Sequence, residues 1–131
     1  MDSYKVGNGN QHIRLTADVS TLGFASSRAI SIDLDSDEPG IPVANSDDAS
    51  GDIINKSIGT ASSLARKRLS ILSRIDLFGT LEERKAEYKS LTATYLLEKG
   101  TDGKKEFIKP VKTAHQNHTR AFLHKKIDLT D

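Results

Sequence analysis

A run of aspartates at alternate positions is the first feature that could do chemistry. Asp33, Asp35 and Asp37 form a D-x-D-x-D run, and Glu38 follows directly. Carboxylate oxygens are the ligands that hard cations such as Ca²⁺ prefer. An EF-hand loop counted from Asp33 needs glycine at its sixth position and glutamate at its twelfth, but Glu38 and Ala44 stand there. We therefore predict no metal site, and we interpret Asp33 and Asp35 as solvent-facing residues of a strand.

Three histidines in the last part of the chain have a spacing that zinc sites also use. His115 and His118 form an H-x-x-H pair, and His124 follows further along. Imidazole nitrogens bind zinc, but a closed site needs a fourth ligand, and no acidic residue stands at a matching spacing. We therefore interpret residues 113–120 as a polar connector.

The densest basic cluster is formed by Arg66, Lys67 and Arg68. Such a cluster can contact phosphates, but no aromatic residues are interleaved with it to stack on bases. Lysine and arginine number 19 against 18 aspartates and glutamates, whereas nucleic-acid-binding proteins usually carry a clear basic excess. We predict no nucleic-acid partner. The weaker alternative is that the protein binds nucleic acid, and these three residues are the candidates for that contact.

Motifs typical of catalysis are missing from the sequence. The chain has neither the G-x-S-x-G elbow of hydrolases nor a dinucleotide-binding G-x-G-x-x-G. Residues 100–105 approach a Walker A motif but lack its spacing. With no cysteine, the chain has no thiolate nucleophile and no disulfide. We predict that the protein is not an enzyme and that it uses no cofactor.

Length and composition set the broad class. A chain of 131 residues predicts a single domain. No apolar run reaches the ~18 residues of a membrane helix, so we expect no membrane insertion. Asp2 is acidic and no apolar stretch of the signal-peptide kind follows it. We expect a cytoplasmic location, or a place in an assembled or exported particle.

The elements that would position these residues are predicted to be strands. Apolar and polar residues alternate in five segments, which indicates half-buried antiparallel strands. Two weaker segments cover 54–58 and 107–111. The strong segments are 13–19, 30–34, 69–77, 91–97 and 123–129. We therefore predict an all-β fold, an antiparallel β-sandwich or small barrel of about six to eight strands.

One short helix is predicted beside a competing strand. Thr80 and Glu83 have the spacing of a capping box, which favours a helix at 81–88. The alternative is a strand with a bulge near Ser90. Apolar residues at helical spacing over 58–72 also fit a helix, which competes with the strand predicted at 69–77.

Turn residues separate these segments. The glycines and asparagines of 7–10 predict a tight hairpin turn, and 100–103 predicts a second hairpin tip. Residues 36–52 contain two prolines and several aspartates with little apolar pattern, so we predict a long acidic loop.

The predicted core consists of the apolar faces of these segments. Its members are Ile13, Leu15, Val19, Ile30, Ile32, Leu34, Ile58, Leu69, Ile71, Ile75, Leu77, Leu91, Tyr95, Leu97, Phe107, Leu123, Ile127 and Leu129. This core is thin for a chain of this length, so some apolar surface is available for burial against another chain.

The leading functional hypothesis is a structural or assembly protein. Long strands leave edges that must be covered, and a terminal strand can add to a neighbouring sheet. We expect a homo-oligomer or a complex with a protein partner, in a viral particle, a secretion apparatus or an appendage. Leu123, Ile127 and Leu129 on the C-terminal strand are the predicted partner-binding residues.

The alternative is a monomeric binding module for a carbohydrate, lipid or peptide. Sugar sites usually recruit exposed aromatic rings, and we predict that Tyr4, Phe24 and Tyr88 are the rings free for that purpose.

Overall fold

The computed structural model describes residues 2–131, which form ten strands and two helices. One helix precedes the sixth strand and the other follows it. Nearly all strand pairs are antiparallel, and the all-β sandwich predicted from the sequence is confirmed. The elements are β1 (Asp2–Lys5), β2 (His12–Ser20), β3 (Phe24–Asp33), β4 (Ile41–Asn45), β5 (Ile53–Thr60), α1 (Ala61–Leu64), β6 (Lys67–Asp76), α2 (Leu81–Ser90), β7 (Thr92–Gly100), β8 (Gly103–Phe107), β9 (Val111–Ala114) and β10 (Arg120–Thr130).

The strands form two sheets that share one apolar core. The larger sheet has the order β1-β10-β6-β3-β4, and β9 also pairs with β10. The smaller sheet has the order β5-β2-β7-β8. β1 and β10 run parallel, whereas the other paired strands run antiparallel. The count exceeds the predicted six to eight because β1, β4, β8 and β9 are short strands without apolar alternation.

The predicted core is confirmed everywhere except on β3. Ile30 and Ile32 are only half-buried, and Leu34 is 52% exposed in the turn that follows. The inward face of β3 carries small residues instead, and Ser27 forms a buried hydroxyl contact of 2.6 Å with Ser73 of β6. The prediction is wrong because alternation defines two faces but does not say which one meets the core.

The segment 36–52 is not one continuous loop. Its middle residues form β4, which pairs with β3 at the edge of the larger sheet. Beyond β4, the amide of Ser46 donates to the carbonyl of Ser27 at 2.9 Å, and the amide of Ala25 donates to the carbonyl of Ala49 at 2.8 Å. The loop prediction failed because an edge strand tolerates a proline such as Pro42, and β4 is too short to show an alternating pattern.

The two predicted turns differ in outcome. Residues 100–103 do form a hairpin tip, where Gly100 pairs with Gly103 between β7 and β8. Residues 7–10 do not form a hairpin, because β1 pairs with β10 and the turn carries the chain into the other sheet. At the hairpin tip between β7 and β8, position 100 requires glycine, because an added Cβ would lie 2.5 Å from the ring of Tyr4.

The capping box at the start of α2 is confirmed. The Thr80 hydroxyl accepts a hydrogen bond from the amide of Glu83, and the Glu83 carboxylate accepts one from the amide of Thr80. The helix continues to Ser90, two residues past the prediction, so the competing strand is wrong. At its other end the Lys112 ammonium donates to three carbonyl oxygens at 3.1–3.2 Å, where a cation is favourable. The helical stripe over 58–72 yields only the short helix α1.

Two buried tyrosines differ in what their hydroxyl groups contact. The Tyr4 hydroxyl donates to the carbonyl of Gly103 and accepts from the amide of Gly100 at 2.8 Å. Tyr4 is fully buried, so the prediction that it is a free surface ring is wrong. The Tyr95 hydroxyl is also buried, but it has no hydrogen-bond partner among residues 2–131. Burial raises the pKa of both hydroxyls.

We predict that the same substitution has opposite effects at these two positions. Tyr95→Phe removes an unpaired buried hydroxyl and should raise the free energy of unfolding by about 1 kcal/mol. Tyr4→Phe removes a paired hydroxyl, leaves Gly103 unsatisfied and should lower it by about 1 kcal/mol. Urea denaturation of both variants and the wild type measures the two changes. Changes of the same sign would contradict the assignment.

Candidate interaction surfaces

The three residues predicted to bind a partner lie in the core. Leu123, Ile127 and Leu129 are at most 1% exposed. Their strand, β10, pairs with β6 along one edge and with β1 and β9 along the other. The expectation that the C-terminal strand offers a free edge is therefore wrong. Alternation alone does not distinguish a central strand from an edge strand.

The aspartate run marks the end of β3. The Asp33 carboxylate accepts a hydrogen bond from the amide of Asp35 at 3.0 Å, which is a side-chain turn of the kind aspartate often forms. Asp35 lies in that turn and not on the solvent face of a strand as predicted. Asp37 follows in irregular structure. Across residues 2–131, no three histidine or acidic side chains are grouped as metal ligands.

The basic run Arg66-Lys67-Arg68 is largely compensated by the C-terminus. Arg66 forms an ion pair with Asp131 at 3.2 Å. Arg68 forms one with Asp128 at 2.8 Å, and that hydrogen bond raises the pKa of the arginine. Lys67 is the first residue of β6 and forms no ion pair among residues 2–131. Phosphate would have to compete with both carboxylates for this run.

The three histidines contact different groups. His115 lies against Phe122 with ring centroids 5.6 Å apart, and His118 meets Tyr88 edge-on at 5.3 Å. His124 Nε2 lies 2.6 Å from the hydroxyl of Ser70. Burial lowers the pKa of His124, and nearby Lys126 lowers it further.

This lowered pKa predicts a pH dependence of stability. Below the ordinary histidine pKa of about 6.5, the unfolded chain takes up a proton that folded His124 resists, so stability falls with pH until the folded pKa is reached. His124→Gln should reduce the loss of melting temperature between pH 7 and pH 5. His115→Gln, at an exposed position, is the matched control and should retain the wild-type loss. Equal losses in His124→Gln and wild type would contradict the prediction.

The exposed aromatic rings are Phe24 and Phe78. They are 61% and 58% exposed, and they pack edge to face with centroids 5.2 Å apart. Leu22 lies in the preceding turn and is 91% exposed. The sequence predicted exposed rings at both Phe24 and Tyr88. Phe24 is exposed, whereas Tyr88 is half-buried and packs against the core. Phe78 was missed because it follows β6 outside any alternating run.

One side of the sandwich, here called the acidic side, consists of residues 33–52. The segment carries seven aspartates and glutamates and no lysine or arginine. Its residues 41–45 form β4 at the edge of the larger sheet, and the segment approaches β5, where Lys56 forms an ion pair with Asp47 at 2.6 Å. The other carboxylates of the segment have no ion-pair partner among residues 2–131.

The opposite side, here called the basic side, is formed by β8, β9, β1 and the middle of β10. Residues 99–126 carry eight lysines and arginines against two acidic residues. Lys105 donates to the carbonyl of Ser3 at 3.0 Å and so ties β8 to β1. Lys109 is exposed between β8 and β9. The near-equal charge totals therefore conceal a separation of charge across the sandwich.

A buried ammonium group holds the basic side together. Lys125 projects from the inward face of β10 between Leu123 and Ile127 and is 7% exposed. It contacts the Asp2 carboxylate at 2.5 Å and the carbonyl of Ile108 at 2.6 Å. The hydrogen bond from Lys125 lowers the pKa of Asp2. This residue thereby connects β10 to β1 and to the β8–β9 connection.

Each charged side also ends in strand edges. Within residues 2–131, β4 pairs only with β3, and β8 pairs only with β7. Unpaired backbone groups on such edges can accept a further strand. Pro42 in β4 lacks an amide donor, which weakens that edge as a template.

Comparison of the chain with protein-family models, with curated protein sequences and with solved structures finds no match in any of the three. Among residues 2–131, neither helix has the length and apolar character that crossing a membrane requires. The surfaces described above therefore carry what can be inferred about function.

Proposed function

We propose that the protein is a non-enzymatic assembly subunit in which the acidic side of one copy packs against the basic side of the next. The observation that supports this proposal is that residues 33–52 on the acidic side carry seven acidic residues and no basic one, whereas residues 99–126, which supply most of the basic side, carry eight basic residues against two acidic ones. Opposite charges on opposite sides attract successive copies in one orientation and repel the reversed one.

The geometry of such a contact is head-to-tail. A contact between two different surfaces of the same chain does not close on itself as a two-fold dimer does. It continues into a ring or a filament, depending on the rotation between neighbours. A second protein that carries either kind of side would serve as a partner through the same chemistry.

The charged sides also supply apolar contact area. Leu34 and Ile41 are more than half exposed on the acidic side, and Ile108 and Val111 are more than half exposed on the basic side. Surface charge mainly accelerates and orients association, whereas apolar burial supplies most of the affinity. Both requirements are met on the same two surfaces.

Native mass tests the proposal. Light scattering on a sizing column should give masses above that of the 14.3 kDa chain, rising with protein concentration. The mass should fall when NaCl is raised to about 0.5 M, because the charges are exposed and screened. A monomer at every concentration and at low salt would overturn self-assembly.

Two blocked variants test the head-to-tail arrangement. Asp35→Lys with Asp37→Lys reverses charge on the acidic side, and Lys105→Glu with Lys109→Glu reverses it on the basic side. Each double variant should be monomeric alone, because every contact needs both sides. In an equal mixture the two intact sides are complementary, and so are the two reversed sides, so assembly to masses above that of the 14.3 kDa chain should be restored.

Lys85→Glu on α2 is the control, because it changes a lysine outside both sides. It should assemble as the wild type does. Monomers only in the mixture, or normal assembly of either double variant, would exclude the proposed contact. Circular dichroism of each variant confirms that the β-sandwich is retained.

A further inference from the structure

The outer face of the larger sheet contains an open depression of about 400 Å³. It lies across β3 and β6 and is bounded by the end of β4. Its lining consists of Ser26, Ser27, Arg28, Asn45, Ser46, Leu72 and Arg74. The lining contains two arginines, several hydroxyl and amide groups, and no acidic residue.

Strand register brings the two arginines to one place. Arg28 lies directly opposite Leu72, and Ser26 lies directly opposite Arg74. Arg28 and Arg74 are therefore diagonal neighbours on one face, at a separation of about 7–8 Å that long side chains span. Both guanidinium groups can reach a ligand placed over Leu72.

These arginines differ from the others on the same face. Arg68 and Arg120 form cross-strand ion pairs with Asp128 at 2.8 Å and Asp76 at 3.1 Å. Arg28 and Arg74 form neither an ion pair nor a side-chain hydrogen bond with any of residues 2–131. Their donors, unlike those of the paired arginines, are engaged by no side chain or carbonyl in the described part of the chain.

The polar lining adds donors. Ser46 Oγ accepts a hydrogen bond from the amide of Ser27 at 2.9 Å, so its own O–H remains available to donate. The Asn45 side-chain amide and the exposed Ser26 hydroxyl lie beside it. The nearest acidic residue along the chain, Asp47, is compensated by Lys56 at 2.6 Å.

We propose that this depression binds an oxyanion, and specifically the phosphate group of a small phosphorylated ligand. Two planar guanidinium groups match phosphate oxygens in geometry and in charge. Hydroxyl and amide donors complete the set, and Leu72 forms the floor. Asn45 and Ser46 belong to the acidic side, but Arg28 and Arg74 belong to neither charged side. The inference therefore does not depend on the proposed assembly, because the two arginines carry the recognition.

Phe122 extends the site toward β10. It lies directly opposite Arg74 on the outer face, on the side away from Ser26. Its ring packs against His115 with centroids 5.6 Å apart, and its place beside Arg74 makes it the ring to test for contact with a base carried by the phosphorylated ligand. Inorganic phosphate and adenosine monophosphate therefore probe recognition of the phosphate alone and of the phosphate with a ring.

Amide chemical shifts measured by NMR at low ionic strength test the proposal. Inorganic phosphate should cause saturable shifts at Ser26, Arg28, Asn45, Ser46 and Arg74. Arg28→Gln and Arg74→Gln should each weaken binding about tenfold, since each removes a charge-assisted pair of hydrogen bonds. Arg28→Lys, which keeps the charge without the planar fork, should lose less.

Arg66→Gln is the matched control, because it removes an arginine away from the depression, and its affinity should equal that of the wild type. Adenosine monophosphate binding more tightly than inorganic phosphate, with the gain lost in Phe122→Ala, would support the site and show that its ligand carries a ring. Equal binding of both probes would support a site for the phosphate alone. Unsaturable shifts spread over all lysines and arginines, or unchanged affinity in both glutamine variants, would overturn the proposal.

Discussion

The arrangement of one whole side of this sandwich depends on a single buried charge. Lys125 occupies an inward position on the central strand β10, between Leu123 and Ile127. An ammonium group removed from water costs several kcal/mol unless hydrogen-bond acceptors surround it. Asp2 and the carbonyl of Ile108 supply them, and they come from opposite ends of the chain. Lys125 thereby ties the parallel strand β1 and the crossing from β8 to β9 to the same point of β10.

The same contacts help to form the basic side. Lys125 ties the β8–β9 connection, which contains Lys109, to the N-terminal strand, and Lys105 of β8 donates to the carbonyl of Ser3 in that strand. The acidic side has a simpler origin, because its carboxylates are close in sequence and follow β3 along the sheet edge. The outcome is a chain with almost no net charge whose two sides carry opposite charge. Total charge, from which the sequence analysis argued, does not contain this information.

The success of sequence reasoning varied with the kind of strand. β2, β6, β7 and β10 were predicted because most of their inward residues are large and apolar, as in Ile13, Leu15 and Val19. β3 was assigned the wrong face because its inward residues are alanines and serines, while Ile30 and Ile32 are covered from outside by the turn at Gly40. Short edge strands such as β4 have no alternating pattern, because β4 has five residues and only Ala44 among them is buried.

The candidate sites were harder to predict than the fold for a related reason. Motif searches find residues that are close in sequence, such as Asp33 to Asp37 or Arg66 to Arg68, and local hydrogen bonds and terminal carboxylates largely engage these two clusters. Arg28 and Arg74 are far apart in sequence, and only the pairing of β3 with β6 makes them neighbours. Their register could not be derived from alternation, because a shift of two residues preserves every inward face while changing the distance between the two arginines.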